Sequence, residues 1–210
     1  TAPKVILSVN GHLQSFGFLK NRLMHIFLYA SMTRELSESE VRKLGGEPSW
    51  GVAPANPFGS SVRKICGTGG HRILVRNKFH FSSSLEASEH DIKRTVGDHD
   101  RSFKRRFPML EDVEMEYRWG GRLCLSRNGV PVFGEIEKGL FAACCQNGLG
   151  ASKGTLAGIL AAEHASGYEN PFIQDHLNEA QPTRLPPEPF ATIGAAVYLN
   201  WQEWRAGLEK

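Results

Sequence analysis

Apolar residues along this chain recur in two rhythms, and each rhythm predicts an element type. Val5–Val9 is a short apolar run ending at Asn10-Gly11, which predicts a strand leaving into a turn. Ile26–Met32 predicts a second strand. Ser37 and Glu40 form a capping box, Val41 and Leu44 follow at helical spacing, and Gly45-Gly46 stops the segment, so a short helix is expected. Residues 46–70 are rich in Gly, Pro, Ser and Asn and predict one long loop. Arg72–Val75 and Lys78–Phe81 predict strands. Ser88 and Asp91 open a helix that carries Ile92, Val96, Phe103 and Phe107 on one stripe and ends at Pro108.

The pattern then returns to strands. Val113–Ser126 alternates over a long stretch, Arg127-Asn128-Gly129-Val130 predicts a hairpin turn, and Leu140–Cys145 is a continuous apolar strand. Ala151–Ser166 is helical, with Gly167 just past its end. Residues 170–187 are polar and Pro-containing, and Phe190–Leu208 predicts a final helix bearing Trp201 and Trp204. The mixture predicts an α/β fold of the mixed α+β kind.

Composition narrows the class only modestly. The 210 residues are 40% hydrophobic and 22% charged, with a formal net charge of +3, as in an ordinary globular protein. Four cysteines without a C-x-x-C pair suggest reduced core thiols and a cytoplasmic setting. No apolar run approaches the roughly 18 residues of a membrane span, and the eight histidines lack metal-ligand spacing, so neither membrane nor metal is expected. Arg101, Lys104, Arg105 and Arg106 make a basic cluster, read as the solvated face of a helix rather than a nucleic-acid patch. Gly67-Thr68-Gly69-Gly70 resembles a phosphate cradle in composition alone and is read as a loop.

The stretch with most chemistry is Leu140–Gly154, a buried strand running into glycines that open a helix. Free amides, a positive dipole end and room for close approach favour an anion or a polarised carbonyl there. A dinucleotide fingerprint fails on context: the third glycine comes one residue late, and no apolar strand follows the helix. A tight turn with no ligand explains the loop alone equally well. The helix itself carries Gly154, Gly158, Ala161, Ala162 and Ala165 as a small-residue face, with Leu156, Ile159 and Leu160 as an apolar one.

Taken jointly, Trp119-Gly120-Gly121, Asn128–Glu135, Gly139–Ala143, Asn147–Gly150 and Gly154–Gly158, closing on Gly167, resemble the C-terminal signature of FAD-dependent amine oxidoreductases. These are the D-amino-acid oxidase, glycine oxidase and sarcosine oxidase group, nearest its γ-glutamylputrescine-oxidase-like branch. The resemblance spans about residues 4–167, in detail 117–167. It implies the C-terminal portion of a two-domain enzyme: 1–11 and 116–168 as a partial FAD-binding domain, 12–115 as a substrate-binding domain, and 169–210 as an extension with a final helix. Asn147, Gly148, Leu149, Gly150, Ala151 and Ser152 would face the flavin ring. Trp119 would lie in a strand shared by both domains, its side chain in the core.

Two departures matter. The ADP-binding Gly-rich motif and its acidic partner are missing from these 210 residues, so the chain by itself is expected to bind FAD very weakly or not at all. The arginine that holds a substrate carboxylate is shifted by one, to Arg122, which on a strand turns it to the other face and favours an amine substrate. Arg72 and Arg76 are substrate-pocket candidates, and no general base can be singled out. The expected partners are a small amine or amino acid, the absent N-terminal half, and a second copy of the chain. Apolar surface along Leu140–Cys145 and the small face of helix 151–166 is expected to be left uncovered. The competing reading is a self-contained α/β binding domain with a basic helix and no redox role.

Overall fold

The computed structural model describes residues 2–82 and 86–209, with the Leu208 side chain excepted. Its strands are β1 (Val5–Leu7), β2 (Leu23–Thr33), β3 (Trp50–Val52), β4 (Ser61–Gly67), β5 (Gly70–Phe81), β6 (Met115–Ser126), β7 (Val132–Glu137) and β8 (Leu140–Cys144). The helices are α1 (Glu38–Leu44), α2 (Glu89–Arg106), α3 (Gly150–Ser166), α4 (Pro171–Leu177) and α5 (Phe190–Ala206). They form two sheets, ordered β1-β8-β7 and β3-β4-β5-β2-β6, so the expected mixed α/β class is observed. The chain divides into two compact units. The first comprises Thr1–Ile26, Ser82–Leu85 and Leu123–Ile193; the second comprises Phe27–Phe81, Glu86–Arg122 and Gly194–Lys210. These limits fall inside β2, β6 and α5.

In the first unit β8 is the central strand, parallel to β1 and antiparallel to β7. Both of its faces are covered, which is why its sequence is a continuous apolar run. Ala143 packs with Ala157 and Ala161 of α3 and with Phe133, while Ala142 and Cys144 join Leu13, Leu23, Cys124 and Val132 on the other side. The expectation of exposed surface along Leu140–Cys145 is therefore wrong: Phe141 to Cys145 are all buried. Ala157, Leu160, Ala161 and Ala165 are the buried side of α3, and its exposed large apolar residues are Leu156 and Ile159. The alanines let the helix approach the sheet closely, and Leu160 fills the space beside them.

In the second unit α2 covers the five-stranded sheet. Phe103, Phe107, Ile73, Val75 and Val62 build the core with Leu36, Leu110 and Val113. Both expected capping boxes form, Ser37 with Glu40 and Ser88 with Asp91. The buried side of α2 also carries His99, fully buried and absent from the apolar stripe. The hydroxyl of Ser31 lies 2.6 Å from His99 Nδ1, and His99 Nε2 lies 3.4 Å from the Asn77 carbonyl. Arg118 donates to the same Ser31 hydroxyl at 3.1 Å and to Asp100 at 2.6 Å.

Several expectations need correction. Residues 46–70 are not one loop: they hold β3 and β4, and Gly67-Thr68-Gly69-Gly70 is the hairpin turn into β5, with Gly67 opposite Gly70. Arg72–Val75 and Lys78–Phe81 are one strand, continued through Lys78 at φ 65°. The Asn128-Gly129 turn does not close a hairpin, because β6 and β7 belong to different sheets; the hairpin is β7–β8, turning at Gly139 with φ 75°. The polar stretch after residue 170 contains α4, capped by Asn170 and anchored by buried Ile173. Trp119 is 39% exposed rather than core, since β6 turns its even-numbered residues inward.

Candidate functional site

The glycine loop lies in the first unit, where β8 gives way to α3. Three residues take left-handed backbone conformations there: Cys145 at φ 58°, Asn147 at 50° and Gly148 at 84°. Asparagine tolerates that region because its side chain bonds locally. Asn147 Oδ1 accepts from the Ser126 amide at 2.8 Å, and its Nδ2 donates to the carbonyls of Gly129 and Cys145 at 3.0 Å each. Asn147 thus fastens the ends of β6 and β8 together. Asn10, also left-handed at φ 52°, accepts the Cys145 amide at 3.2 Å and fixes the same turn from the β1 side.

Gly148, Leu149, Gly150, Ala151 and Ser152 follow as exposed residues. The first turn of α3 is unusual for this chain. Its N-cap is Leu149, with no side-chain cap and no acid in the first turn, whereas α1, α2 and α4 are capped by Ser37, Ser88 and Asn170. The helix dipole and the terminal amides are left uncompensated by side chains. Gly150 needs no positive φ, and a Cβ built on it meets nothing within 4 Å; Gly158, mid-helix, is equally open. The chain's own packing therefore requires neither glycine, although a helical glycine costs about 1 kcal/mol against alanine. A planar, electron-rich group against this turn suits all three features.

The arginine candidates lie in the second unit, on one face of β5. Arg72 Nη1 donates to Glu116 at 2.5 Å and to the Thr33 carbonyl at 2.8 Å, and its guanidinium stands 5.2 Å from the Tyr117 ring centroid. Arg76 Nη2 donates to the Ser61 hydroxyl at 2.7 Å, and its Nε is buried without a partner. Burial, and then the Arg63 charge, hold Arg76 below the usual guanidinium pKa. The pairing of Ser61 and Arg63 with β5 has no signature in the sequence, because Val62 and Ile65 fall on opposite faces of β4 and give no alternating signal. Tyr29 was also missed. It lines a cavity of about 380 Å³ with Asp91, Arg94 and Thr95, and its buried hydroxyl has no partner among the described residues. Burial, reinforced by Asp91, pushes its pKa up to about 12. Among the described residues no His, Cys, Asp and Glu group could hold a metal, and no helix is long and apolar enough to cross a membrane.

Residues 1–164 match the DAO family, described as FAD dependent oxidoreductase. The chain belongs to this family of FAD-dependent oxidoreductases. It is similar to a probable oxidoreductase OrdL of Haemophilus influenzae, 31% identical over 44% of this chain and 21% of the relative. It is similar also to the gamma-glutamylputrescine oxidoreductase of Escherichia coli, 31% identical over 45% of this chain and 23% of that protein. In fold it resembles the glycine oxidase of Geobacillus kaustophilus, with a TM-score of 0.62 at 19% identity, over 89% of this chain and 47% of the oxidase. The matched stretches are thus under a quarter of the curated relatives, and under half of the glycine oxidase.

Proposed function

We propose that this chain forms the ring-facing edge of an FAD site and the larger part of a substrate domain, in an oxidoreductase acting on an amine or amino acid. The first unit corresponds in this reading to the partial FAD-binding domain, and the second to the substrate domain. The observation that carries it is the first turn of α3, uncapped, acid-free and opened by a glycine that the chain does not need for its own packing. The family's cofactor is FAD, and an isoalloxazine edge that gains negative charge on reduction fits such a turn.

When bound, FAD would supply the two-electron oxidation of a substrate carbon–nitrogen bond, with water completing the hydrolysis of the oxidised product. The chain's own share is electrostatic and positional. The amides of Gly150, Ala151 and Ser152 would stabilise negative charge at the ring edge, and Asn147 holds the loop that aims them, its own side chain turned to the backbone. The four cysteines, three of them buried and none in a disulfide among the described residues, suit a reducing, cytoplasmic setting.

Ser152→Asp separates folding from binding. An acid in an uncapped first turn should raise the thermal midpoint of the chain while weakening FAD, followed by flavin fluorescence anisotropy. An unchanged FAD affinity with a raised midpoint contradicts the assignment. For the reaction, anaerobic mixing of the intact FAD-loaded enzyme, this chain joined to its ADP-binding half, with amines and amino acids should bleach the flavin absorbance, and matching alcohols should not.

A further inference from the structure

We propose that Arg76, with Arg63 beside it and Ser61 fixing its guanidinium, is a carboxylate-holding, specificity-determining position on the face of the sheet turned away from the α2 core. The inference rests on the amine-oxidation reading and sharpens it: the substrate carries a carboxylate in addition to the nitrogen that is oxidised.

The register fixes the geometry. Ser61 pairs with Arg76 and Arg63 with Leu74, so Arg63 and Arg76 are diagonal neighbours on one face. The opposite face of the same strands holds Val62, Ile73 and Val75 in the core. Arg72 shares the Arg76 face four residues earlier, and its charge is matched by Glu116 at 2.5 Å. Neither Arg63 nor Arg76 has an acidic partner among the described residues. Two like charges without a counter-ion, one half-buried with an unpartnered Nε–H, form an arrangement that an anion relieves. The single Arg76 bond to Ser61 uses Nη2 and leaves Nη1 free, so the planar fork is held in place and still able to bind a carboxylate. This pair stands on β4 and β5, away from Arg122 on β6.

The test is nuclear magnetic resonance of the whole chain, reading arginine Nε–H signals and backbone amides at constant ionic strength. Propionate and succinate should shift, to saturation, the Nε–H of Arg76 and the amides of Ser61, Arg63 and Arg76. Propionamide, the neutral isostere, should not, and the Nε–H of Arg72 should stay in place. Arg76→Lys keeps the charge and loses the fork, and should weaken propionate about tenfold, the factor of one charge-assisted hydrogen bond. The proposal is overturned if propionamide moves the same signals, if inorganic phosphate binds more tightly than propionate, if Arg72 responds in place of Arg76, or if nothing moves. Failure of the flavin reading would register elsewhere, at the amides of Gly148 to Ser152 on adding FAD.

Discussion

His99 offers a sharp test of the packing of the second unit. The ring is fully buried under the sheet. Its neutral form satisfies both nitrogens: Nδ1 accepts from the Ser31 hydroxyl and Nε2–H donates to the Asn77 carbonyl. A second proton would place a donor against that hydroxyl, which already receives Arg118. Burial foremost, and the Arg118 charge, hold the His99 pKa below its ordinary value, against the opposing pull of the Asn77 carbonyl. The sign follows from proton linkage. Below about pH 6.5 the unfolded chain binds a proton that the folded chain refuses, so the contribution is full above 6.5 and is lost as pH falls. One proton is worth up to about 1.4 kcal/mol per pH unit in that window. All four tryptophans, Trp50, Trp119, Trp201 and Trp204, belong to the second unit, so urea unfolding followed by tryptophan fluorescence reports on it alone. Between pH 7.5 and 5.5 the parent should lose more stability than His99→Gln, whose amide does not titrate, by up to about 1.4 kcal/mol. Equal pH dependence in the two proteins would refute a neutral, enclosed His99.

Other outcomes follow from single contacts. Tyr29→Phe removes a buried hydroxyl without a partner and should leave the urea midpoint unchanged or raise stability by up to about 1 kcal/mol; a large loss would mean the hydroxyl is bonded. Gly158→Ala should stabilise α3 by about 1 kcal/mol, since a Cβ there meets nothing, whereas Gly148→Ala, at φ 84°, should destabilise by a similar amount; thermal unfolding by circular dichroism separates the two signs. Phe103→Ala empties the centre of the second core, where the ring stands 5.3 Å from Phe107, and should cost about 3–5 kcal/mol in the same urea assay.

Much of the fold was legible because it is local. The capping boxes at Ser37 and Ser88, and Gly167 closing α3 in a left-handed turn, are readable from a few residues each. What depends on distant pairing was not. Nothing near Asn128 states that β7 leaves the sheet of β6, or that β4 pairs with β5 when Lys64 sits among the apolar positions of its inner face. Lys64 is buried and donates to the Gly45 carbonyl at 3.0 Å, a contact with no sequence signature. The glycine loop was legible as a strand-to-helix turn, and the resemblance supplied the flavin. That Asn147 turns inward as a fastener, and that Arg63 stands beside Arg76, required the register.

In the proposed flavin site, the turn from Gly148 to Ser152 meets the flavin ring. Titrating the isotopically labelled chain with FAD and following its backbone amides tests this directly. Weak, fast-exchange binding is expected, in which the amides of Gly148, Gly150, Ala151 and Ser152 move most and the basic end of α2 is unaffected. Movement centred on Lys104 to Arg106, or no movement at the α3 turn at millimolar FAD, would contradict it.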